Sequence, residues 1–366
     1  GRPKLAKLNF KGNSNHSDLN QEVENLVLED NIHADNSQGK EKEFETEINK
    51  INDITLDKSA IAEQISPKQR EEEKNPKEKV KFNLADLQKL DMLGSGVSGE
   101  VFKAIHLSTQ KMFALKIIPY REDEKLKNLI ENEVKALHDC KSDNLIKCYA
   151  SYLENKTVNI VIEFMDKGTL TDVLKKVKKI PENILGMMTV QILKGLHFLH
   201  KHRIIHRDIK PSNVLLNSKG NVKISDFGVS GYVKDTLGKK ETMVGTYLYM
   251  APERICNESY TLVSDIWSLG MSLIECVTGE NPHHYGKKNK IENLQFWDLV
   301  SCLKDHEPPK LSPLEFSEEF CNFIDCCLVP NPKDRSSTEK LMGHKFIQMY
   351  QNVPVSELKS WIKAKL

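Results

Sequence analysis

No stretch of this 366-residue sequence is apolar for long enough to be a membrane span or a secretory signal. Its eight cysteines form no Cys-x-x-Cys pair, so reduced thiols in the cytoplasm or nucleus are expected. A surplus of either charge is missing too: 53 Lys and Arg face 52 Asp and Glu, a formal +1. Nothing therefore steers the whole chain toward nucleic acid or a membrane surface. An N-terminal myristoylation pattern would need Ser or Thr where Leu5 stands, and no lipid anchor is expected. From Lys11 to about Lys79 aromatics are almost absent, Phe44 standing alone among Asn, Glu, Lys, Asp and Ser. Such a segment cannot bury enough apolar surface to offset its ordering entropy. Residues 11–83 are expected to be a disordered tail, with transient helix at most near Glu22 to Leu28 and Glu43 to Ile51.

What is present begins at the first ten residues, where Arg2, Lys4 and Lys7 are interleaved with Leu5, Leu8 and Phe10. A basic cluster followed by Leu-x-Phe can lie extended in a groove, its cations on an acidic patch and its apolar side chains in pockets. The whole chain is 39% apolar and, at 366 residues, has room for one large or two ordinary domains.

Ordered sequence is expected from Leu84. Leu84, Leu87, Leu90 and Leu93 lead into Gly94-Ser95-Gly96-Val97-Ser98-Gly99-Glu100-Val101, and strand-like residues continue through Phe102 to Ile105. Glycines let backbone amides approach phosphates with no side chain in the way. A dinucleotide fold would place a helix directly after them, whereas a strand follows here. A second strand carries Ala114-Leu115-Lys116, which sets a lysine about twenty residues past the loop. Glu122 to His138 has helical spacing, with Leu126, Ile130, Val134 and Leu137 on one face. Glu133 lies nearer that face than Glu131 and is the better ion-pair partner for Lys116.

A long apolar-periodic helix over Asn183 to His202 delivers the chain to His206-Arg207-Asp208-Ile209-Lys210-Pro211-Ser212-Asn213, and Asp226-Phe227-Gly228 follows a Val214-Leu215-Leu216 strand. At this spacing Asp208 can accept a hydroxyl proton, Lys210 can balance phosphate charge, and Asn213 and Asp226 can hold magnesium. That is phosphoryl-transfer chemistry on the protein-kinase pattern. Further on, Thr236 and Thr242 lie in a loop with few apolar anchors, of the kind that phosphate pairing with an arginine such as Arg207 can order. Asp265 is read as a brace for the catalytic loop, and Arg335 as the partner of Glu253. His283 and His284, in a polar insertion over residues 280–295, lack cysteine or acid partners at metal-like spacing and are read as surface histidines. Near the end Leu358, Trp361, Ile362 and Leu366 share a helical face, which suits packing on the larger lobe.

From about Leu84 to Phe346 the sequence resembles a MAP kinase kinase of the dual-specificity STE7 group. The strings that carry the likeness are residues 94–101, Ile-Val-Ile-Glu-Phe-Met-Asp-Lys-Gly-Thr-Leu at 160–170, Ser-Asp-Phe-Gly-Val-Ser-Gly at 225–231, and Val-Gly-Thr-Tyr-Leu-Tyr-Met-Ala-Pro-Glu-Arg at 244–254. The resemblance implies an α+β, bilobal eukaryotic protein kinase fold over 84–347, with an N-lobe at 84–162, a hinge at 163–167, a C-lobe at 168–347 and a helical extension at 348–366. It implies ATP and Mg2+ as cofactors. The glycine loop with Leu93, Val101, Ala114 and Leu215 would enclose the nucleotide. Backbone groups of Glu163 and Met165 would meet the adenine edge, and Ile162 would close the back of the pocket.

The resemblance further implies transfer to Thr and Tyr of a MAP kinase recruited by Arg2 to Phe10, and activation at Thr236 and Thr242 by an upstream MAP kinase kinase kinase. The five residues between those threonines resemble plant-type members, whereas animal members carry three. The 280–295 insertion lacks the prolines of some relatives. A monomer is expected. The competing readings are an upstream STE-group Ser/Thr kinase and, from another class, a pseudokinase scaffold.

Overall fold

The computed structural model describes residues 83–96, 99–119, 141–154, 157–226, 247–255, 261–285 and 307–366. Asn83 caps a 3-10 turn at Leu84–Asp86, its side chain accepting from the Ala85 amide at 3.1 Å. Strands β1 (Leu87–Gly96), β2 (Gly99–His106), β3 (Lys111–Pro119), β4 (Cys148–Glu154) and β5 (Thr157–Glu163) follow. They form one antiparallel sheet in the order β1-β2-β3-β5-β4. The burial of each strand follows its place. In the central β3, Phe113 through Lys116 are buried consecutively, as expected for a strand covered on both faces. In β2, Phe102, Ala104 and His106 alternate with half-buried neighbours. Ala104, Phe113, Leu115, Ala150 and Val161 form a compact apolar cluster, with the Tyr149 ring meeting Phe113 edge-on at 5.2 Å.

Beyond the hinge the chain is mainly helical. Thr169 and Asp172 close a reciprocal capping box at the start of α1 (Leu170–Val177), satisfying two amides that the first helical turn leaves without partners. The long helix read from apolar spacing is α2 (Glu182–Lys201). A four-residue turn, α3 (Pro252–Ile255), precedes α4 (Ser264–Thr278), in which every residue from Ser264 to Ile274 is buried. A helix buried around its circumference belongs in a core, and its Ser264, Asp265, Ser268 and Ser272 are each hydrogen-bonded there. α5 (Glu318–Cys327), α6 (Thr338–Met342), α7 (Lys345–Tyr350) and α8 (Val355–Lys365) complete the described helices. Leu358 and Ile362 of α8 are buried in the same core as α2, with Trp361 and Leu366 packed against it.

Two short strands, β6 (Val214–Leu216) and β7 (Val222–Ile224), form an antiparallel hairpin. Its turn requires Gly220 at φ +80°, a conformation that side chains other than glycine's resist.

Candidate active site

The β6–β7 hairpin is what turns a sequence pattern into a site. Because Val214 pairs with Ile224, the residues just outside the hairpin, Asn213 and Ser225, are neighbours. Ser225 donates to the Asn213 carbonyl from its amide at 2.9 Å and from its hydroxyl at 3.2 Å. Asp226 is thus carried beside Asn213 although it lies thirteen positions further along the chain. Asn213 donates from Nδ2 to the Asp208 carbonyl at 2.7 Å and to Asp208 Oδ2 at 2.9 Å. Its amide nitrogen being engaged there, Oδ1 is the atom left to accept. Lys210 Nζ reaches Asp208 Oδ1 at 3.0 Å. Asp208, Lys210, Asn213 and Asp226 are therefore one constellation.

The loop that holds them is strained and braced. Arg207 and Asp226 sit at φ +70° and +57°, which non-glycine residues adopt at a cost of order 1–3 kcal/mol each. The opposing force comes from Asp265 on α4, whose carboxylate accepts from the His206 amide at 2.8 Å and the Arg207 amide at 2.9 Å. His200 on α2 lies 2.9 Å from the same carboxylate. Arg254 on α3 donates to the Arg207 carbonyl at 2.7 Å. His206 Nδ1 accepts from the Asp208 amide at 3.2 Å, so Nε2 carries the proton and donates to the Ser225 carbonyl at 2.8 Å. One imidazole thereby ties the loop that carries Asp208 to the residue preceding Asp226.

From the sheet side, Lys116 on β3 places Nζ 2.6 Å from Asp226 Oδ1. Burial pushes the Asp226 carboxyl up, but the Lys116 charge and hydrogen bond outweigh this and hold it below the usual carboxylate range. Asp226 is thus ionised at neutral pH. Gly99 has φ +109°, and a Cβ there would fall 2.3 Å from the Ile117 carbonyl oxygen. Gly94 and Gly96 have nothing within 4 Å of where a Cβ would stand. The glycines divide the work: Gly99 lets β2 close on β3, while Gly94 and Gly96 keep the loop open.

These groups line a cleft of about 640 Å³. Leu93, Gly94, Ser95, Gly96, Gly99, Val101 and Ala114 form its sheet side, Leu215 its floor, and Ile162, Glu163 and Met165 its back and hinge. The Glu163 amide is engaged by the Lys147 carbonyl at 2.9 Å and the Met165 carbonyl by the Gly168 amide at 3.1 Å. Neither of these bonds uses the Glu163 carbonyl or the Met165 amide. Neutral hydrogen-bonding groups suit a heterocycle edge, and the Lys116 and Asp208 end suits a charged tail.

Val97, Ser98, Glu133, Thr236, Thr242 and the segment Arg2, Lys4, Leu5, Lys7, Leu8 and Phe10 lie outside the described residues. The reading of His283 as a surface histidine is corrected, while His284 is partly exposed. Asn281 Oδ1 accepts from the His283 amide and the Asn281 carbonyl from the His284 amide, both at 2.9 Å, a tight turn that rolls His283 inward. His283 is 5% exposed and pairs with the Leu248 carbonyl, and His284 Nε2 is buried as well. Sequence reading also missed Lys223, buried in β7 and bound to Glu163 Oε2 at 2.7 Å. Its signal was a lysine inside the apolar triplet Val-Lys-Ile.

The protein kinase domain family matches residues 87–347. Over 272 residues the chain is 42% identical to mitogen-activated protein kinase kinase 1 of Arabidopsis thaliana, covering 74% of this chain and 77% of that protein. Mitogen-activated protein kinase kinase 1c of Physcomitrium patens is 41% identical over 274 residues, 74% of this chain and 78% of the relative. Dual specificity mitogen-activated protein kinase kinase dSOR1 of Drosophila melanogaster is 37% identical over 296 residues, 76% and 74% of the respective lengths. With a kinase-domain match over most of its length and relatives of this identity and coverage, the chain belongs to the MAP kinase kinase family of protein kinases.

Proposed function

We propose that the chain is a dual-specificity MAP kinase kinase that moves the γ-phosphate of ATP to Thr and Tyr in the activation loop of a MAP kinase. The observation that carries this reading is the convergence of Lys116, Asp208, Lys210, Asn213 and Asp226 on one cleft. In it Asp208 is the base: its carboxylate, oriented by Lys210 and Asn213, takes the proton of the acceptor hydroxyl as the new O–P bond forms. Lys210 stays beside the oxygens that gain charge. Lys116 holds phosphate oxygens from the sheet side. The Glu163 carbonyl and Met165 amide fix the adenine edge, so the phosphates come to rest at the other end of the cleft. Asn213 Oδ1 and the ionised Asp226 are hard oxygen donors, the type Mg2+ prefers when it takes few protein ligands and keeps phosphates and water for the rest. When bound, Mg2+ would neutralise charge on the β- and γ-phosphates.

Specificity and timing rest on the rest of the chain. Arg2 to Phe10 would dock the MAP kinase, and phosphates on Thr236 and Thr242, added by an upstream MAP kinase kinase kinase, would pair with Arg207. In vitro, the activated protein with MgATP and a MAP kinase should label both threonine and tyrosine of the acceptor. Label confined to serine and threonine would instead favour an upstream STE-group kinase. No transfer at all by protein that binds ATP would favour a pseudokinase scaffold.

A further inference from the structure

The segment 247–250 stands beside the catalytic loop. The α3 residue that follows it, Arg254, holds the Arg207 carbonyl, and the Asp208 charge is near enough to add to the upward push on the Tyr249 phenol, which burial and Glu275 dominate. None of residues 247–250 lines the cleft itself, yet Tyr249 is close enough to feel the Asp208 charge. The backbone of this segment is pinned from several sides. Met250 donates to the Tyr247 carbonyl at 3.1 Å, and Ser268 Oγ of α4 donates to the Tyr249 carbonyl at 2.8 Å. The Tyr249 hydroxyl donates to Glu275 of α4. A further anchor comes from outside α4: His283 lies 2.9 Å by Nε2 from the Leu248 carbonyl. A carbonyl can only accept, so Nε2 carries the proton.

The histidine is itself held. Asn281 fixes its amide, and two residues on, Tyr285 accepts from the Ser312 amide through its hydroxyl at 3.4 Å. Leu248 keeps a half-exposed side chain although its carbonyl is tied to the buried imidazole. An apolar side chain on a fixed main chain is suited to meet a protein acceptor.

We propose that His283 is a positioning residue for the protein acceptor: by donating to the Leu248 carbonyl it fixes the wall against which the acceptor is held in front of Asp208. It touches neither ATP nor the reacting atoms. Loss of this hydrogen bond should therefore appear in the KM for the acceptor and not in the KM for ATP.

The test uses the full chain with a MAP kinase acceptor, each substrate varied at saturating concentration of the other, alongside the thermal midpoint. His283→Ala should raise the acceptor KM about five- to tenfold, the size of one buried hydrogen bond lost with its acceptor stranded. ATP KM should stay within about twofold. His283→Gln can place an amide N–H near the position of Nε2 and should restore most of the effect; His283→Asn, one methylene shorter, should not. Equal acceptor KM for the Gln and Asn variants, or a wild-type acceptor KM for His283→Ala, overturns the proposal. So does a KM that follows the thermal midpoint across the variants and ignores the donor, since that is how a purely structural histidine behaves. The inference rests on transfer to a protein acceptor. Wild-type protein that labels no MAP kinase would sink that reading, whereas wild-type labelling with indistinguishable variants sinks the His283 assignment alone.

Discussion

At the scale of single residues, Asp208 and the glycines of the loop make the sharpest claims. Asp208→Ala should cut phosphoryl transfer by at least about 10²-fold while ATP affinity stays near wild type, since Asp208 faces the acceptor end of the cleft. Transfer rates and equilibrium nucleotide binding on the same preparation decide it; undiminished transfer would remove the base assignment. Gly99 and Gly96 should separate stability from binding. Gly99→Ala forces a Cβ to within 2.3 Å of the Ile117 carbonyl at φ +109° and should destabilise the N-lobe by roughly 1–3 kcal/mol, read as a lower thermal midpoint. Gly96→Ala meets nothing within 4 Å and should leave the midpoint nearly unchanged while weakening ATP binding. Sequence alone marks all three glycines for phosphate approach. That Gly99 is needed for β2 to pass β3 depends on a cross-strand neighbour eighteen positions away, which a local pattern cannot encode.

At the scale of elements, the buried pair between Glu253 of α3 and Arg335 ahead of α6 fastens the segment after the activation loop to the helical core. Arg335 donates to Glu253 Oε1 at 2.8 Å and Oε2 at 2.9 Å, its guanidinium lying 5.1 Å from the Trp267 ring centre, and Ser264 Oγ adds a contact at 2.7 Å. Burial raises the Glu253 pKa, but the Arg335 and Ser264 hydrogen bonds with the Arg335 charge outweigh it and leave the carboxyl below its ordinary 4.5. The folded value being the depressed one, this stabilisation is complete above the unfolded value and is lost as pH falls through the folded one. Glu253→Gln should cost about 3–5 kcal/mol at neutral pH, because Arg335 stays buried and charged. The variant should also lose less stability than wild type on acidification below about pH 4.5. Urea midpoints across a pH series test both, and parallel acid slopes would refute the assignment. In α8, Leu358→Ala should cost about 2–5 kcal/mol, seen as a lower urea midpoint. The element pattern was readable because apolar spacing is local: the α2 periodicity and the Leu358, Trp361, Ile362, Leu366 face needed no knowledge of partners. The inward turn of His283 was not readable, since its neighbours in sequence are polar and its partner, Leu248, is 35 positions away.

For the whole molecule, the hinge is the joint that matters. Lys223 in β7 binds the side chain of Glu163 at 2.7 Å while Glu163 also lines the cleft, so one ion pair links the hinge side of the cleft to the strand that leads to Asp226. Lys223→Met should strand a largely buried carboxylate and raise the KM for ATP, and adding Glu163→Gln should recover part of the loss. An unchanged KM in the single variant would reduce this pair to ornament. The proposed activation would also be a whole-chain property. Thr236→Glu with Thr242→Glu should raise basal transfer if carboxylates at these positions stand in for the proposed phosphates. A double-alanine variant that an upstream kinase still fully activates would refute the switch.

By itself the sequence determined the chemistry and the class of architecture: strands around a glycine loop, then helices, with a base, a lysine, an asparagine and a second aspartate at fixed intervals. These follow from local propensity, apolar period and short-range motif spacing, all of which are written along the chain. Tertiary structure alone decided which of these groups meet. The β6–β7 register brought Asp226 beside Asn213, Asp265 held Arg207 in a strained conformation, Lys116 found Asp226, and Lys223 found Glu163. Each of these contacts joins residues distant in sequence, and each is set by packing and by the need to pair buried charge, forces that act only once the chain has folded.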